Sequence, residues 1–248
     1  MHKGVASGGV DAGGNAALSL VQARARGVRE VIIADMQLVD QPFVWVRSDS
    51  HIRQPKDLKG AKLGVKRFGG MVHTYGRAAA KALGLEKEVK FVAGGGLRGE
   101  IAAIKTGALD GRVGPILGML PFKSKAYLRA AIDLKKYLPK EWADVVVFAN
   151  KDFVDRKSDL LRKVVKAYLQ SAEFVEKNPQ WAIPRLKSFF RTSEGIAKEI
   201  HAGLRYSRDG KINIKGLQNV INFVIEYGII PKEKAPSLEQ LDTNKFTG

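Results

Sequence analysis

The sequence predicts an α/β fold, and three observations carry that prediction. Short apolar runs bounded by Gly, Pro and Asp alternate with amphipathic stretches as far as Ala149. Beyond that residue the chain turns almost wholly to helical periodicity. With 248 residues, 45% of them hydrophobic and 27% charged, it can bury a sizeable core in one large domain or two small ones. Strands that alternate with short helices imply largely parallel sheets, since parallel neighbours need a crossover between them.

The elements follow in order. Asn15 is placed as the N-cap of a helix carrying Leu18, Val21 and Gln22 and ending at Gly27. Strands are predicted at 31–34 (VIIA), 42–46 (PFVWV) and 62–66 (KLGVK), the last stopped by Gly69-Gly70. A helix with Tyr75, Ala78, Ala79, Ala82 and Leu83 on one side comes next, then strand KFVA, a helix over 99–106 and strand LDGRV. VVVFA (145–149) is the last strong strand. Leu161, Val164, Val165, Tyr168, Ala172 and Val175 form a helical stripe that Asn178-Pro179 ends. A final long helix turns Leu217, Val220, Ile221 and Val224 inward and stops at Gly228 and Pro231. GGVDAG (8–13) and GALDG (107–111) echo each other, each a helix end at Gly, a tight turn and a strand entered at Asp, which suggests two related α/β lobes.

Composition excludes several classes. No run reaches the roughly 18 apolar residues of a membrane span, and the start lacks the apolar core of a secretory signal. The absence of cysteine removes disulfides, thiolate metal sites and a Cys nucleophile. The net charge of +17 has its largest local surplus in residues 51–100, where 11 basic side chains face 4 acidic ones, and the rest beyond residue 100 is moderately basic. That field favours anionic partners, although a generally basic solvated surface accounts for it as well. No helix-turn-helix, zinc-finger or RNP pattern accompanies it, so no nucleic-acid partner is expected.

Gly94-Gly95-Gly96-Leu97-Arg98-Gly99 matches G-x-G-x-x-G, but the dinucleotide reading fails on context. It needs an acidic residue about 20 positions on, and no acid stands between Asp110 and Asp133. What survives is a strand-to-helix turn whose backbone N–H groups can meet an anion or a polar ligand. KRFGGMVHTYGRA is a second such turn. Lys66 and Arg67 end a strand, Phe68 can stack on a ligand, and Gly69-Gly70 lets backbone approach before a helix opens near 72–74 with the Thr74 hydroxyl. A plain strand–turn–helix with a solvated Arg is the competing reading. His73 beside this turn reads first as a surface or helix-start residue, and Asp35 with Asp40 as turn formers rather than an acid–base pair. The four histidines are scattered, and neither G-x-S-x-G nor a P-loop occurs, so no enzyme, metal or cofactor is expected.

With these turns placed, the chain resembles solute-binding proteins of ABC transporters in the nitrate/sulfonate/taurine group, which includes NMT1/THI5-like domains. The resemblance rests on GGVDAGGNAALSLVQARARG, on ADMQLVDQPFVWVRSDSHIRQPKDLKGAKLGVKRFGGMVHTYGRA, on FVAGGGLRGEIAAIKTGALDG and on SRDGKINIKGLQNVINFVIEYGIIPKEKAP. It implies a two-lobed periplasmic-binding-protein-like fold of type 2, with mixed sheets, helices on both faces and a helical C-terminal part. The lobes are expected at 1–47 plus 144–248 and at 48–143. The resemblance further implies a ligand in an interlobe cleft, held by Gly14 and Asn15 from one lobe. From the other it implies Arg67, Phe68, Gly69, Gly70, Met71, Thr74, Gly95, Gly96, Leu97, Arg98 and Pro115. Members usually carry a signal peptide and a strand–helix–strand ahead of the VDAG-like segment, so this chain is expected to lack the first strand and helix of lobe one. The expected partners are a small-molecule ligand and transporter permease subunits, with a monomeric protein, periplasmic or at the cell surface, that meets the membrane only through the transporter. Two other classes share the fold: a THI5-like pyrimidine-precursor enzyme and the ligand-sensing domain of a regulator.

Overall fold

The computed structural model describes residues 1–37, 42–123, 127–241 and 244–247. The chain opens with α1 (His2–Ala6), β1 (Ala12–Ala16), α2 (Ala17–Ala25), β2 (Glu30–Gln37) and β3 (Pro42–Arg47). It continues through β4 (Lys62–Val65), α3 (Met71–Ala82), β5 (Lys90–Ala93), α4 (Leu97–Lys105), β6 (Gly111–Pro115), α5 (Ile116–Lys123) and β7 (Leu128–Asp133). The last part holds β8 (Val145–Asn150), α6 (Lys151–Arg156), α7 (Ser158–Lys177), α8 (Pro179–Phe190), α9 (Glu194–Gly203), α10 (Ile214–Glu226) and α11 (Leu238–Leu241). The expected α/β class is what forms.

Two compact units result. One comprises Met1–Val39, Pro139–Pro179 and Arg205–Gly248, and the other Asp40–Leu138 and Gln180–Leu204. These bounds differ from the lobes expected at 1–47 plus 144–248 and at 48–143. Strand β3 falls in the second unit because it pairs with β6 on one side and β7 on the other. Residues 180–204 join it because Ile196 and Ile200 of α9 bury against Leu120 of α5.

The first unit is built on a three-stranded sheet, β1-β8-β2, antiparallel at both pairings. Parallel pairing was expected here. Strands β1 and β2 do run the same way, joined through α2, but β8 arrives from a distant part of the chain and inserts between them in the opposite direction. Asn15 is a strand residue rather than a cap; Ala16 caps α2, and Asn15 Oδ1 accepts from its N–H at 2.8 Å. On one face Leu161 and Val165 of α7 pack on Val31, Ile33 and Ala149, with Leu169 against the same cluster. Val164, expected in that stripe, sits about 100° round the helix from Val165 and is 42% exposed. Helix α10 buries Leu217, Val220, Ile221 and Val224 as its periodicity predicts.

The second unit carries a five-stranded mixed sheet in the order β5-β4-β6-β3-β7. Strands β5, β4 and β6 are parallel, and β3 turns the sheet antiparallel. Helix α3 covers one face, where Ala79 and Ala80 meet Leu63, Val65 and Val113. Helices α4 and α5 cover the other through Ile101, Ile104 and Met119, packed with Trp45 and Leu128. The GGVDAG/GALDG echo has a structural counterpart: in both places a helix end and a Gly lead through Asp into a strand, β1 after Asp11 and β6 after Asp110.

Candidate functional site

Because β4, β5 and β6 are parallel, their carboxyl ends lie along one edge of the second unit's sheet. Val65 pairs with Ala93, Gly64 with Arg112, and β6 runs on to Pro115. From that edge three connections lead into helices: 66–70 into α3, 94–96 into α4, and Pro115 directly into α5. The crevice outside the carboxyl ends of parallel strands, where successive crossovers leave toward opposite faces, is where open α/β sheets take ligands. The first-turn N–H groups of these helices lack intrahelical acceptors and carry the positive end of the helix dipole.

Most sequence-predicted residues of this unit belong to that edge. Arg67, Phe68, Gly69 and Gly70 lie in the first connection, with Met71 and Thr74 in the first turn of α3, and Gly95 and Gly96 lie in the second, with Leu97 and Arg98 opening α4. Pro115 begins the third. Arg67 and Arg98 are exposed, and among the described residues neither has a carboxylate partner. Phe68 is 58% exposed.

Several donors expected to face a ligand are engaged within the turn. The Gly69 N–H donates to His73 Nδ1 at 2.9 Å, and the Gly70 N–H reaches the Arg67 carbonyl at 3.4 Å. Thr74 is fully buried, its hydroxyl donating to the Gly70 carbonyl at 2.9 Å. Among the described residues, the N–H groups of Met71, Val72 and His73 in the first turn of α3 find no acceptor. Gly14 and Asn15 belong to the first unit. The Asn15 amide lies 3.1 Å from His2 Nε2, while His2 Nδ1 lies 2.7 Å from Glu30 Oε2 and the ring stacks on Phe148.

The G-x-G-x-x-G segment finds its explanation in backbone geometry. Gly95 and Gly96 adopt φ of 69° and 142°, a region that penalises any Cβ. A Cβ at Gly99 would stand 2.9 Å from the Gly94 carbonyl. The glycines form a tight turn into α4.

His73 is the residue at this edge that sequence reasoning set aside. Its ring packs edge-on against Phe68 and Phe91, with centroids at 5.3 Å and 5.2 Å. Burial, and secondarily the Arg77 charge, hold its pKa below the usual imidazole value. Accepting the Gly69 N–H at Nδ1 requires that nitrogen to be unprotonated. A depressed folded-state pKa means the unfolded chain binds more protons, so the contribution of His73 to stability is present above its unfolded pKa of about 6.5 and lost as pH falls through the lower folded value. Acidifying from pH 7.5 to pH 5 is accordingly expected to lower the melting temperature more for the wild type than for His73→Gln. Equal losses in the two proteins would contradict this assignment.

Among the described residues no three His, Asp or Glu side chains stand together in a way that could hold a metal ion. Nor is any described helix long and apolar enough to cross a membrane. A cavity of about 830 Å³ lies in the first unit between α7, residues 206–209 and residues 245–247, and none of the predicted site residues lines it.

Comparison with known proteins places this architecture. A search of curated proteins finds no match. The aliphatic sulphonate binding protein SsuA of Escherichia coli superposes with a TM-score of 0.79 at 15% identity, over 96% of this chain and 77% of that one. The alkanesulfonate-binding protein SsuA of Xanthomonas axonopodis pv. citri, bound to MOPS, gives 0.82 at 14% identity, over 98% and 84%. The desulfurization enzyme DszB gives 0.68 at 14% identity, over 95% and 83%. At these identities the likeness establishes the periplasmic-binding-protein fold. A sequence model of the family described as NMT1/THI5 like matches residues 1–182, most of the chain. The chain therefore belongs to the NMT1/THI5-like family.

Proposed function

We propose that this protein is the solute-binding component of an ABC importer and takes a small anionic or polar organic ligand, such as a sulfonate, nitrate, taurine or a pyrimidine-like compound. The observation that carries the reading is the edge of the second unit, where three helices start at the ends of parallel strands beside the exposed Arg67 and Arg98. Met71, Gly95 to Arg98 and Pro115 supply the remaining surface of the proposed site, with Phe68 available to cover an apolar tail. Gly14 and Asn15 of the first unit, and an interlobe cleft that closes on the ligand, belong to the same proposal. So do a monomeric state, a periplasmic or cell-surface location and delivery to permease subunits. The SsuA proteins, whose ligands are sulfonates, support the ligand class. DszB shows that the same fold also carries an enzyme, so fold alone does not choose, and the reading proposed is that of a binding protein without catalysis.

A thermal-shift and calorimetric screen of ethanesulfonate, taurine, nitrate, pyrimidines and small carboxylates tests it. A bound ligand at 100 times its Kd stabilises by about 2.7 kcal/mol. If none of these compounds moves the melting temperature, the proposal loses its support. With a binding anion in hand, Arg67→Ala is expected to cost about 1.5–3 kcal/mol, the range for hydrogen bonds to charged groups. That corresponds to about 10- to 150-fold in affinity. Stability without ligand should hardly change, since Arg67 is exposed. Lys163 on α7, equally basic and exposed, is the control. Equal weakening by Lys163→Ala would mean that diffuse charge, not the turn, attracts the anion.

A further inference from the structure

The apolar layer beneath α4 and α5, formed by Trp45, Ile101, Ile104, Leu109, Met119 and Leu128, contains an ion pair. Arg112 Nε meets Glu100 Oε2 at 2.6 Å, with the two side chains 7% and 0% exposed. Arg112 Nη1 lies 2.7 Å from the Met119 sulfur, and Glu100 Oε1 is buried with no hydrogen-bond partner among the described residues. The backbone makes room for both side chains. A Cβ at Gly94 would stand 2.5 Å from Glu100 Cγ, and one at Gly114 would stand 2.4 Å from Arg112 Nη1. The carboxylate thus packs under the turn that opens α4, and the guanidinium lies along β6 toward Pro115. Neither residue was singled out as a site residue.

Stability does not account for this arrangement. Desolvating two ions costs several kcal/mol each, and replacing a buried pair by apolar side chains of similar volume is often neutral or stabilising. Glu100 also leaves one oxygen unpaired, which adds to the cost. What the pair does supply is direction. It ties the fourth residue of α4 to one fixed point on β6, whereas apolar contacts would tolerate sliding.

We propose that Glu100 and Arg112 are a positioning pair that fixes the Gly94–Arg98 turn against β6, so that the first-turn N–H groups of α4 point at a bound oxyanion. That this turn meets a ligand rests on the function proposed above; that the pair holds the turn does not. The two halves can therefore fail separately.

The test uses the full chain carrying E100L and R112M together, which removes both charges at similar volume. By hydrogen exchange, the amides of Gly94 and Glu100, which donate to the Val65 and Gly96 carbonyls, are expected to exchange at least 10-fold faster than in the wild type, while those of β8 and α10 keep their rates. The melting temperature should be retained or raised. Calorimetric titration with ethanesulfonate should show affinity weakened by at least 10-fold. Wild-type exchange at Gly94 and Glu100 would overturn the positioning role of the pair, and unchanged ethanesulfonate affinity would overturn its bearing on the ligand. If the double variant does not fold, Glu100→Gln decides by the same exchange measurement: faster local exchange supports the pair and wild-type rates overturn it. If the wild type itself fails to bind ethanesulfonate, the reading of this edge as a sulfonate site loses, and exchange alone settles the role of the pair.

Discussion

Trp45→Ala is expected to cost about 3–5 kcal/mol of stability, the range for deleting a buried aromatic side chain. Trp45 is 1% exposed, lies on the strand that pairs with both β6 and β7, and packs edge-on against Phe43. Its indole N–H donates to the Gly114 carbonyl at 3.2 Å, one residue before Pro115 at the proposed ligand edge. Truncation therefore opens a cavity and strips that carbonyl of its side-chain donor. Trp45→Phe keeps most of the volume and loses the hydrogen bond, so it should cost less, with about 1 kcal/mol of its effect from the bond. Urea denaturation of the two variants measures the difference. An Ala variant no weaker than the Phe variant would mean that the layer collapses to fill the space.

Gly216→Ala is expected to destabilise by about 1–3 kcal/mol, although helix propensity alone predicts a gain of about 1 kcal/mol. Gly216 is the third residue of α10, and the Asn213 side chain caps its N–H at 2.8 Å. A Cβ there would stand 2.7 Å from Ala143 N and from Trp142 C, both backbone atoms that cannot swing aside. The comparison is Gly195→Ala in α9, where nothing lies within 4 Å of the added Cβ. That change should stabilise by about 0.5 kcal/mol through loss of unfolded-state freedom. Shifts of the same sign in the two variants would show that α10 moves off residues 142–143 at little cost.

Much of the proposed site was legible because it depends on local chain chemistry. Glycines flanking the starts of α3 and α4, and a basic residue beside each of these two starts, are visible from spacing alone. The engagement of Gly69 and Thr74 inside the turn was not, because it depends on where the His73 ring and the Gly70 carbonyl come to lie. For Glu100 a signal did exist. Leu97, Glu100, Ile101 and Ile104 share one helical face, and a carboxylate on that face asks for a buried partner. Which partner cannot be read from α4, since Arg112 lies on a strand beyond the intervening turn. One strand was missed for a related reason, and another was anticipated only as a strand entered at Asp11. Leu128–Asp133, the missed one, and Ala12–Ala16, the anticipated one, contain few β-branched or aromatic residues, and they become strands by pairing with β3 and β8.

By itself, the sequence determined the α/β class, most element positions, the surplus of positive charge and the glycine-rich entries to α3 and α4. Each of these follows from periodicity, turn chemistry and charge over a few neighbouring residues. Only the tertiary structure decided that β8 inserts antiparallel between β1 and β2, that β3 joins the second unit, and that Glu100 is buried against Arg112. Those outcomes depend on pairings between segments far apart in the chain, where no local preference selects the partner and the burial of whole faces does.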